Sequence, residues 1–276
     1  MPDLDINGRR IITVGMLAHD LRALGVTEGM TLFVHSALKP LGWVCGGPHA
    51  VILALLDALG PTGTLAMPAH SPILTDPVRW CNPPVPESWW PIIKSEMPAF
   101  AKDLTPTGFM GRIAETFRKM EGVLRSDHPC VSVCAFGPNA ERITGSHALP
   151  YGNGDGSPIA RLYDLDASIL LLAVDHGSNT SMHLAEYRAR FDARREITQG
   201  APIIVDGARR WVEYPEILTD DDGDCFVDIG KRMEETTDIV SIGPTGEATS
   251  RLMRVRPTVD FAVEWLENFR DEWIEE

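Results

Sequence analysis

Positive charge is scarce in this chain. Lysine and arginine together number 25 against 39 acidic residues, a formal net charge of −14. Phosphate contacts need clustered cations, so the balance argues against a nucleic-acid partner. It favours cationic ligands through long-range attraction, although part of any acidic surface serves only solubility. No apolar run approaches twenty residues, which excludes a membrane-spanning helix. The opening Met1-Pro2-Asp3-Leu4-Asp5 lacks the basic-then-apolar layout of a secretion signal. Cysteines number five, an odd count without regular spacing, which predicts reduced thiols and a cytoplasmic setting. Cys130 and Cys134 fall inside a strand-like run and read as core packing. Gly-x-Ser-x-Gly, Cys-x-x-Cys and His-Glu-x-x-His are all missing. The spacing of His176 and His183 matches no common metal motif, so no metal is expected.

The 276 residues, 44% of them hydrophobic, suffice for a sizeable core. Apolar residues at helical spacing predict a helix over 13–24, ended by Gly25. A strand over 31–36 runs into His35-Ser36, a helix over 50–59 is closed by Gly60-Pro61, and a second strand covers 64–68. That series is the βαβ signature of a mostly parallel sheet. Further along, the pattern predicts a helix over 113–120, strands over 131–136 and 168–174, and a hairpin folded at Asp206-Gly207. Two helices, near 247–253 and 258–270, end the chain. Residues 71–108 hold many prolines, Trp80, Trp89 and Trp90, and no period. They read as an insertion or lid, packed by its tryptophans. With no repeat or low-complexity linker, residues 1–276 are read as one α/β domain.

The most informative segment runs from Val174 to Tyr187. Asp175 and His176 follow an apolar strand, Gly177 to Asn179 supply a turn, and a helix is expected to start near Asn179 or Thr180 with His183 in its first turn. Open α/β sheets bind ligands at that carboxyl edge. Two histidines there, with Glu186 beside one of them, can supply a general base near neutral pH. Either histidine could equally be a cap or a core hydrogen-bonder. Gly46-Gly47 precedes a helix start, where backbone N–H groups can approach a phosphate. Thr107 and Gly108 before one helix, and Arg125-Ser126 after it, offer hydroxyls, N–H groups and a cation for a phosphorylated cofactor. Ordinary turns and a surface ion pair are the plainer readings of these groups. Asp220, Asp222 and Asp224 mimic the start of a calcium loop, but Cys225 stands at its glycine position and Lys231 at its glutamate position, so calcium is not expected. Asp220, Asp221, Asp222 and Asp224 form either a solvated acidic loop or a wall for a polycationic substrate.

Taken as a set, several motifs resemble the aminoglycoside 3-N-acetyltransferases. They are Val34-His35-Ser36, Gly42 with Gly46-Gly47, Gly60-Pro61-x-Gly63-Thr64-Leu65-x-Met67-Pro68, Met110-Gly111, Arg125-Ser126-x-His128-Pro129, the strand from Leu170 to Val174, and His176 with Asn179-Thr180-Ser181-Met182-His183-Leu184-Ala185-Glu186. The resemblance spans residues 13–269 with the motifs in family order. It implies a three-layer α/β/α sandwich around a largely parallel or mixed sheet, distinct from the common N-acetyltransferase superfamily. It implies acetyl transfer from acetyl-CoA to the 3-amino group of the 2-deoxystreptamine ring of aminoglycoside antibiotics, by direct attack of the base-activated amine, giving resistance. By motif, His183 matches the family's histidine and Glu216 its acid, expected within hydrogen-bond reach of one another, with His176 as a second histidine of the site. Acetyl-CoA is implied to pass His35, Ser36, Gly46, Gly47, Thr107, Gly108, Arg125 and Ser126. Asp175, Glu186 and the acidic loop are assigned to the substrate. The protomer is expected alone or as a homodimer, with neither metal, membrane nor nucleic acid. Two rival readings are an acetyltransferase of the same fold acting on a non-antibiotic amine and a non-catalytic aminoglycoside-binding protein; the cofactor motifs speak against the second.

The acidic loop yields a first prediction. Neutralising Asp220, Asp221, Asp222 and Asp224 together is expected to raise KM for an aminoglycoside more than it lowers kcat, and to leave the coenzyme's KM little changed. Steady-state kinetics at low and high salt check this, since exposed charges are screened. Unchanged drug affinity at low salt would reduce the loop to a solvated surface.

Overall fold

The computed structural model describes residues 10–192, 194–218 and 224–274. The strands are β1 (Ile11–Ile12), β2 (Thr31–Ser36), β3 (Trp43–Val44), β4 (Thr64–Pro68), β5 (Leu124–Arg125), β6 (Val133–Phe136), β7 (Ser168–Leu172), β8 (Glu196–Val205), β9 (Ala208–Ile217), β10 (Ser241–Thr245) and β11 (Ala248–Arg254). The helices are α1 (Val14–Leu24), α2 (Gly47–Leu59), α3 (Trp90–Glu96), α4 (Gly111–Arg118), α5 (Ala140–Thr144), α6 (Pro158–Asp164), α7 (His183–Arg188), α8 (Asp224–Thr236) and α9 (Val255–Ile274).

Local chemistry fixes many of these ends. The Thr13 hydroxyl accepts from the Met16 N–H and opens α1. Gly25, at φ 119°, closes the same helix in the left-handed region. Asp206 and Gly207, at φ 49° and 76°, give the β8–β9 hairpin the turn its Asp-Gly signature demands.

Seven strands form one mixed sheet in the order β10-β11-β7-β2-β4-β6-β5. Its centre is parallel, β2 pairing with β7 on one side and β4 on the other. Its flanks are antiparallel, through β11–β7 and β4–β6. The side-chain period of two divides the strands between two apolar clusters. Leu32, Val34, Leu65, Met67, Leu170 and Leu172 join α1, α2 and α4 in one. Phe33, Ala66, Val133, Ala135, Ile169 and Leu171 join α5 to α9 in the other. Strands covered on both faces read as continuous apolar runs, which is why Ile169–Leu172 shows no alternation.

Two expectations need correction. The helix expected near 247–253 is strand β11, turned back from β10 at Gly246 and paired with β7. Tertiary pairing overrides a weak periodic signal in so short a segment. Residues 71–108 are not structureless: they form 3-10 turns at Pro72–Leu74, Pro77–Arg79 and Glu87–Trp89, followed by α3. Proline occupies the first position of two of these turns, where its missing N–H costs nothing. The segment docks on the β8–β9 hairpin. Asp76 N–H donates to the Gln199 amide oxygen at 2.8 Å, Phe100 N–H to the Pro202 carbonyl at 2.9 Å, and the Arg209 guanidinium to the Met97 and Lys94 carbonyls. Leu74, Phe100, Cys130, Ala201 and Tyr214 make a third small core at this junction. Helices α5, α6 and α8 were not foreseen from the pattern.

Helix α8 lies against the 3-10 turn His176–Ser178, and the approach depends on Gly230. A Cβ there would fall 2.0 Å from His176 Cγ. Gly230→Ala is therefore expected to destabilise the protein by about 3 kcal/mol, an overpacking cost read by denaturant titration. A change below about 0.5 kcal/mol, the range of ordinary surface substitutions, would show the contact to be yielding.

Candidate active site

Three chain segments leave the sheet at one edge. β2 ends in His35-Ser36, β4 runs on into Ala69-His70, and β7 leads into the segment that carries His183. Beyond β7, Ala173 adopts φ 60° and its N–H donates to the Ser250 hydroxyl. Asp175, exposed, caps the next turn by accepting from Gly177 N–H at 3.2 Å. The Asn179 side chain accepts from Ser181 N–H and opens a second turn, Thr180–Met182. The α-helix proper then starts at His183 itself, a turn later than expected.

His183 and Glu186 meet on α7. The imidazole Nδ1 lies 2.6 Å from Glu186 Oε2, and the ring meets Phe226 edge-on at 4.9 Å. Residues three apart share a helix face, so the pairing is built into the spacing. Glu186 is buried at 2% exposure, which favours a single orientation of the imidazole. The expectation that Glu216 would hold His183 is corrected by this geometry. Glu216, on β9, accepts instead from the Tyr187 hydroxyl at 2.6 Å, from Gly152 N–H at 2.9 Å and from Ile217 N–H at 2.9 Å. The sequence had already put Glu186 beside one of the two histidines, and helix spacing identifies that histidine as His183; no local pattern could place Glu216 beside Tyr187.

Two further histidines stand close enough for His183 to act on their charge. His35 is buried, and its Nε2 accepts from Thr180 N–H at 3.1 Å, which puts its proton on Nδ1. Burial, and then the neighbouring His183, depress its pKa from 6.5 to about 3. His70, at the end of β4, was not foreseen as a site residue. Burial, then His183 and His35, hold it near 3 as well. Both rings are neutral at physiological pH. The signal for His70 was available: it follows a predicted strand at the carboxyl edge, the same logic that selected His35.

The remaining expected residues fall into two groups. Ser36 is half-buried at the end of β2. Gly46 and Gly47, at φ 92° and 60°, open α2, and a Cβ on Gly47 would meet nothing within 4 Å. These leave backbone N–H groups approachable. Arg125 and Ser126 are spent inside the protein. The Arg125 Nε donates to Ser132, its NH1 to the Lys102 and Thr105 carbonyls, and its NH2 to the Ala69 carbonyl and the Ser71 hydroxyl. That uses all the donors of a guanidinium. Burial lowers its pKa to about 10, which leaves it a cation. The Ser126 hydroxyl, fully buried, bonds His147 Nδ1 and accepts from Val133 N–H. Thr107 gives both its N–H and its hydroxyl to Glu115, and Gly108 N–H donates to the His70 carbonyl. His176 is buried away in a bond to Glu234 at 2.8 Å, a carboxylate also held by Arg251. Asp220, Asp221 and Asp222 lie outside the described residues, and Asp224 begins α8.

A carboxylate-backed imidazole at the carboxyl edge of a parallel strand trio is the equipment of an enzyme that moves a proton. The family model for aminoglycoside 3-N-acetyltransferases matches residues 33–267, and the chain belongs to that family. It is 44% identical over 253 residues to the SPbeta prophage-derived aminoglycoside N(3')-acetyltransferase-like protein YokD of Bacillus subtilis, covering 91% of each chain. The crystal structure of YokD superposes with a TM-score of 0.90 at 42% identity, over 94% of this chain and 95% of that one. The enzyme AAC-IIIb, solved as a binary complex with CoASH, gives 0.82 at 30% identity, over 93% and 97%. AAC-VIa bound to sisomicin gives 0.83 at 30% identity, again over 93% and 97%.

The buried histidines predict acid sensitivity. His35, His70, His128 and His147 are held to about 3, 3, 4 and 2 in the fold, in each case chiefly by burial. Below the unfolded value of 6.5, the unfolded chain takes up protons that the folded chain refuses. Stability is thus fully present above pH 6.5 and lost as pH falls toward these folded values. Urea midpoints are expected to be level from pH 8 to pH 7 and to decline steadily from about pH 6.5 downward. A midpoint constant down to pH 5 would contradict neutral burial.

Proposed function

We propose that this protein transfers an acetyl group from acetyl-CoA to the 3-amino group of the 2-deoxystreptamine ring of aminoglycoside antibiotics, and so confers resistance. The observation that carries the reading is the His183–Glu186 pair, 2.6 Å apart at the ligand-binding edge of the sheet. An ammonium has no lone pair, so the substrate amine must shed a proton before or as it attacks. His183 is the general base: with Nδ1–H given to Glu186, its lone pair is on Nε2, and the carboxylate stabilises the imidazolium that forms. Neutral His35 and His70 sit nearby without adding positive charge that would repel a cationic substrate. Glu216, half-buried on β9, takes a second ammonium of the drug, and Asp175 with the acidic run at 220–224 attracts the remaining ones. His176 supports the segment from behind by anchoring α8.

Acetyl-CoA supplies the activated acetyl group. The residues present suit it: Gly46 and Gly47 offer the opening of α2 with no side chain of their own in the way, and His35 and Ser36 end β2 at the carboxyl edge of the sheet. Thr107, Gly108, Arg125 and Ser126 serve by shaping the wall, since their donors are committed within the protein. The two apolar clusters support a three-layer α/β/α arrangement, distinct from the common N-acetyltransferase superfamily, in a single domain with the 71–108 segment as its lid. The protomer works alone or as a homodimer in the cytoplasm. No helix among the described residues is long and apolar enough to cross a membrane.

His183→Ala is expected to lower kcat by at least about 100-fold, the usual worth of a general base, while coenzyme binding persists. The check is turnover with an aminoglycoside beside coenzyme affinity measured directly. Turnover close to that of the parent would remove His183 from this role.

A further inference from the structure

A continuous hydrogen-bond chain runs from the sheet to Glu216. The Ser126 hydroxyl bonds His147 Nδ1 at 2.9 Å, and His147 Nε2 bonds the Gly152 carbonyl at 2.6 Å. A carbonyl only accepts, so His147 carries its proton on Nε2 and takes the serine proton at Nδ1. The Gly152 N–H, on the other side of the same residue, donates to Glu216 Oε2 at 2.9 Å. Gly152 is packed where no side chain fits: a Cβ there would lie 2.6 Å from Val131 Cγ2 and 2.8 Å from His128 Nε2. The other carboxylate oxygen is gripped from the opposite side. Tyr187 donates its hydroxyl to Glu216 Oε1 at 2.6 Å, and its ring lies along Gly154, where a Cβ would approach to 3.0 Å. Tyr187 sits on α7, adjacent to Glu186 and one turn from His183. Burial drives its phenol strongly upward, so it remains a donor across the working pH range.

We infer that Tyr187 is a positioning residue for the reaction: its hydroxyl, opposed by the Gly152 amide, fixes Glu216 relative to the His183–Glu186 pair and so sets where the substrate's two amines come to rest. The inference rests on the reading of Glu216 as a substrate contact. The carboxylate belongs to a hairpin outside the main sheet, whereas the base belongs to a helix packed on it. Without a direct link, the distance between them would follow the hairpin. Tyr187 supplies that link through one bond and does so from the helix that carries the base. A carboxylate held at both oxygens receives an ammonium in one direction only, which is specificity for amine spacing rather than for charge.

A double-mutant cycle with Tyr187→Phe and Glu216→Gln tests this, using sisomicin and acetyl-CoA in steady-state kinetics and sisomicin binding by calorimetry. Phenylalanine keeps the ring and deletes only the donor. Tyr187→Phe is expected to lower kcat/KM for sisomicin about tenfold, as for a lost bond to a charged group, with the acetyl-CoA KM unchanged. In the Glu216→Gln background the same change should cost less than about twofold, because Tyr187 acts through that carboxylate. Equal losses in both backgrounds, or a rise in the acetyl-CoA KM matching that for sisomicin, would overturn the inference and leave Tyr187 as packing. Parental kinetics in Glu216→Gln alone would instead overturn the reading of Glu216 on which it rests. Calorimetry gives the same cycle for binding independently of turnover.

Discussion

β2 is paired in parallel on both of its edges, and the candidate site exists because of it. Parallel neighbours run in the same direction, so β7, β2 and β4 all deliver their following residues to one edge of the sheet. His35, His70 and the segment that carries His183 arrive together for that reason alone. The pairing is also hard to disturb. Alternate side chains of all three strands are buried in different cores, so a slip of one residue would turn each strand's packing inside out.

Beside this edge Arg125 is used internally. Arg125 bonds the strand end at Ala69 and Ser71, the loop at Lys102 and Thr105, and Ser132 at the base of β6. It also stacks on Phe100, 4.9 Å from the ring centroid. A guanidinium with all its donors satisfied by neutral oxygens is a rigid brace, and it ties the 71–108 segment to the sheet. Arg251 does similar work on Glu234 behind His176.

Buried neutral histidines carry the complementary role. Each ring is one donor and one acceptor, and the structure spends them in that way: His128 accepts two backbone N–H groups at Nδ1, while His147 relays between Ser126 and Gly152. Orientation without charge is what a site needs when the reacting group is itself a cation. The same burial makes these rings a liability in acid, since unfolding lets them ionise.

The parallel core was legible in the sequence because its strands are short apolar runs punctuated by Gly-Pro and by His-Ser. The hairpin at Asp206-Gly207 and the helix ended by Gly25 were legible because particular backbone angles demand particular residues. The family motifs marked His183 and Glu186 as part of one segment. What the sequence could not contain was the partner of each long-range group. Glu216 was matched to His183 by motif, yet Tyr187 and Gly152 claim it, because a hairpin's docking angle depends on the third small core and not on spacing along the chain. Arg125 looked like a phosphate ligand and proved to be an internal brace, because burial is a property of the fold. Residues 248–254 became a strand rather than a helix because β7 offered an unpaired edge. Local conformation follows from residue chemistry within a few positions; burial, pairing and the choice among possible hydrogen-bond partners follow from which distant segments arrive, and only the tertiary structure decides that.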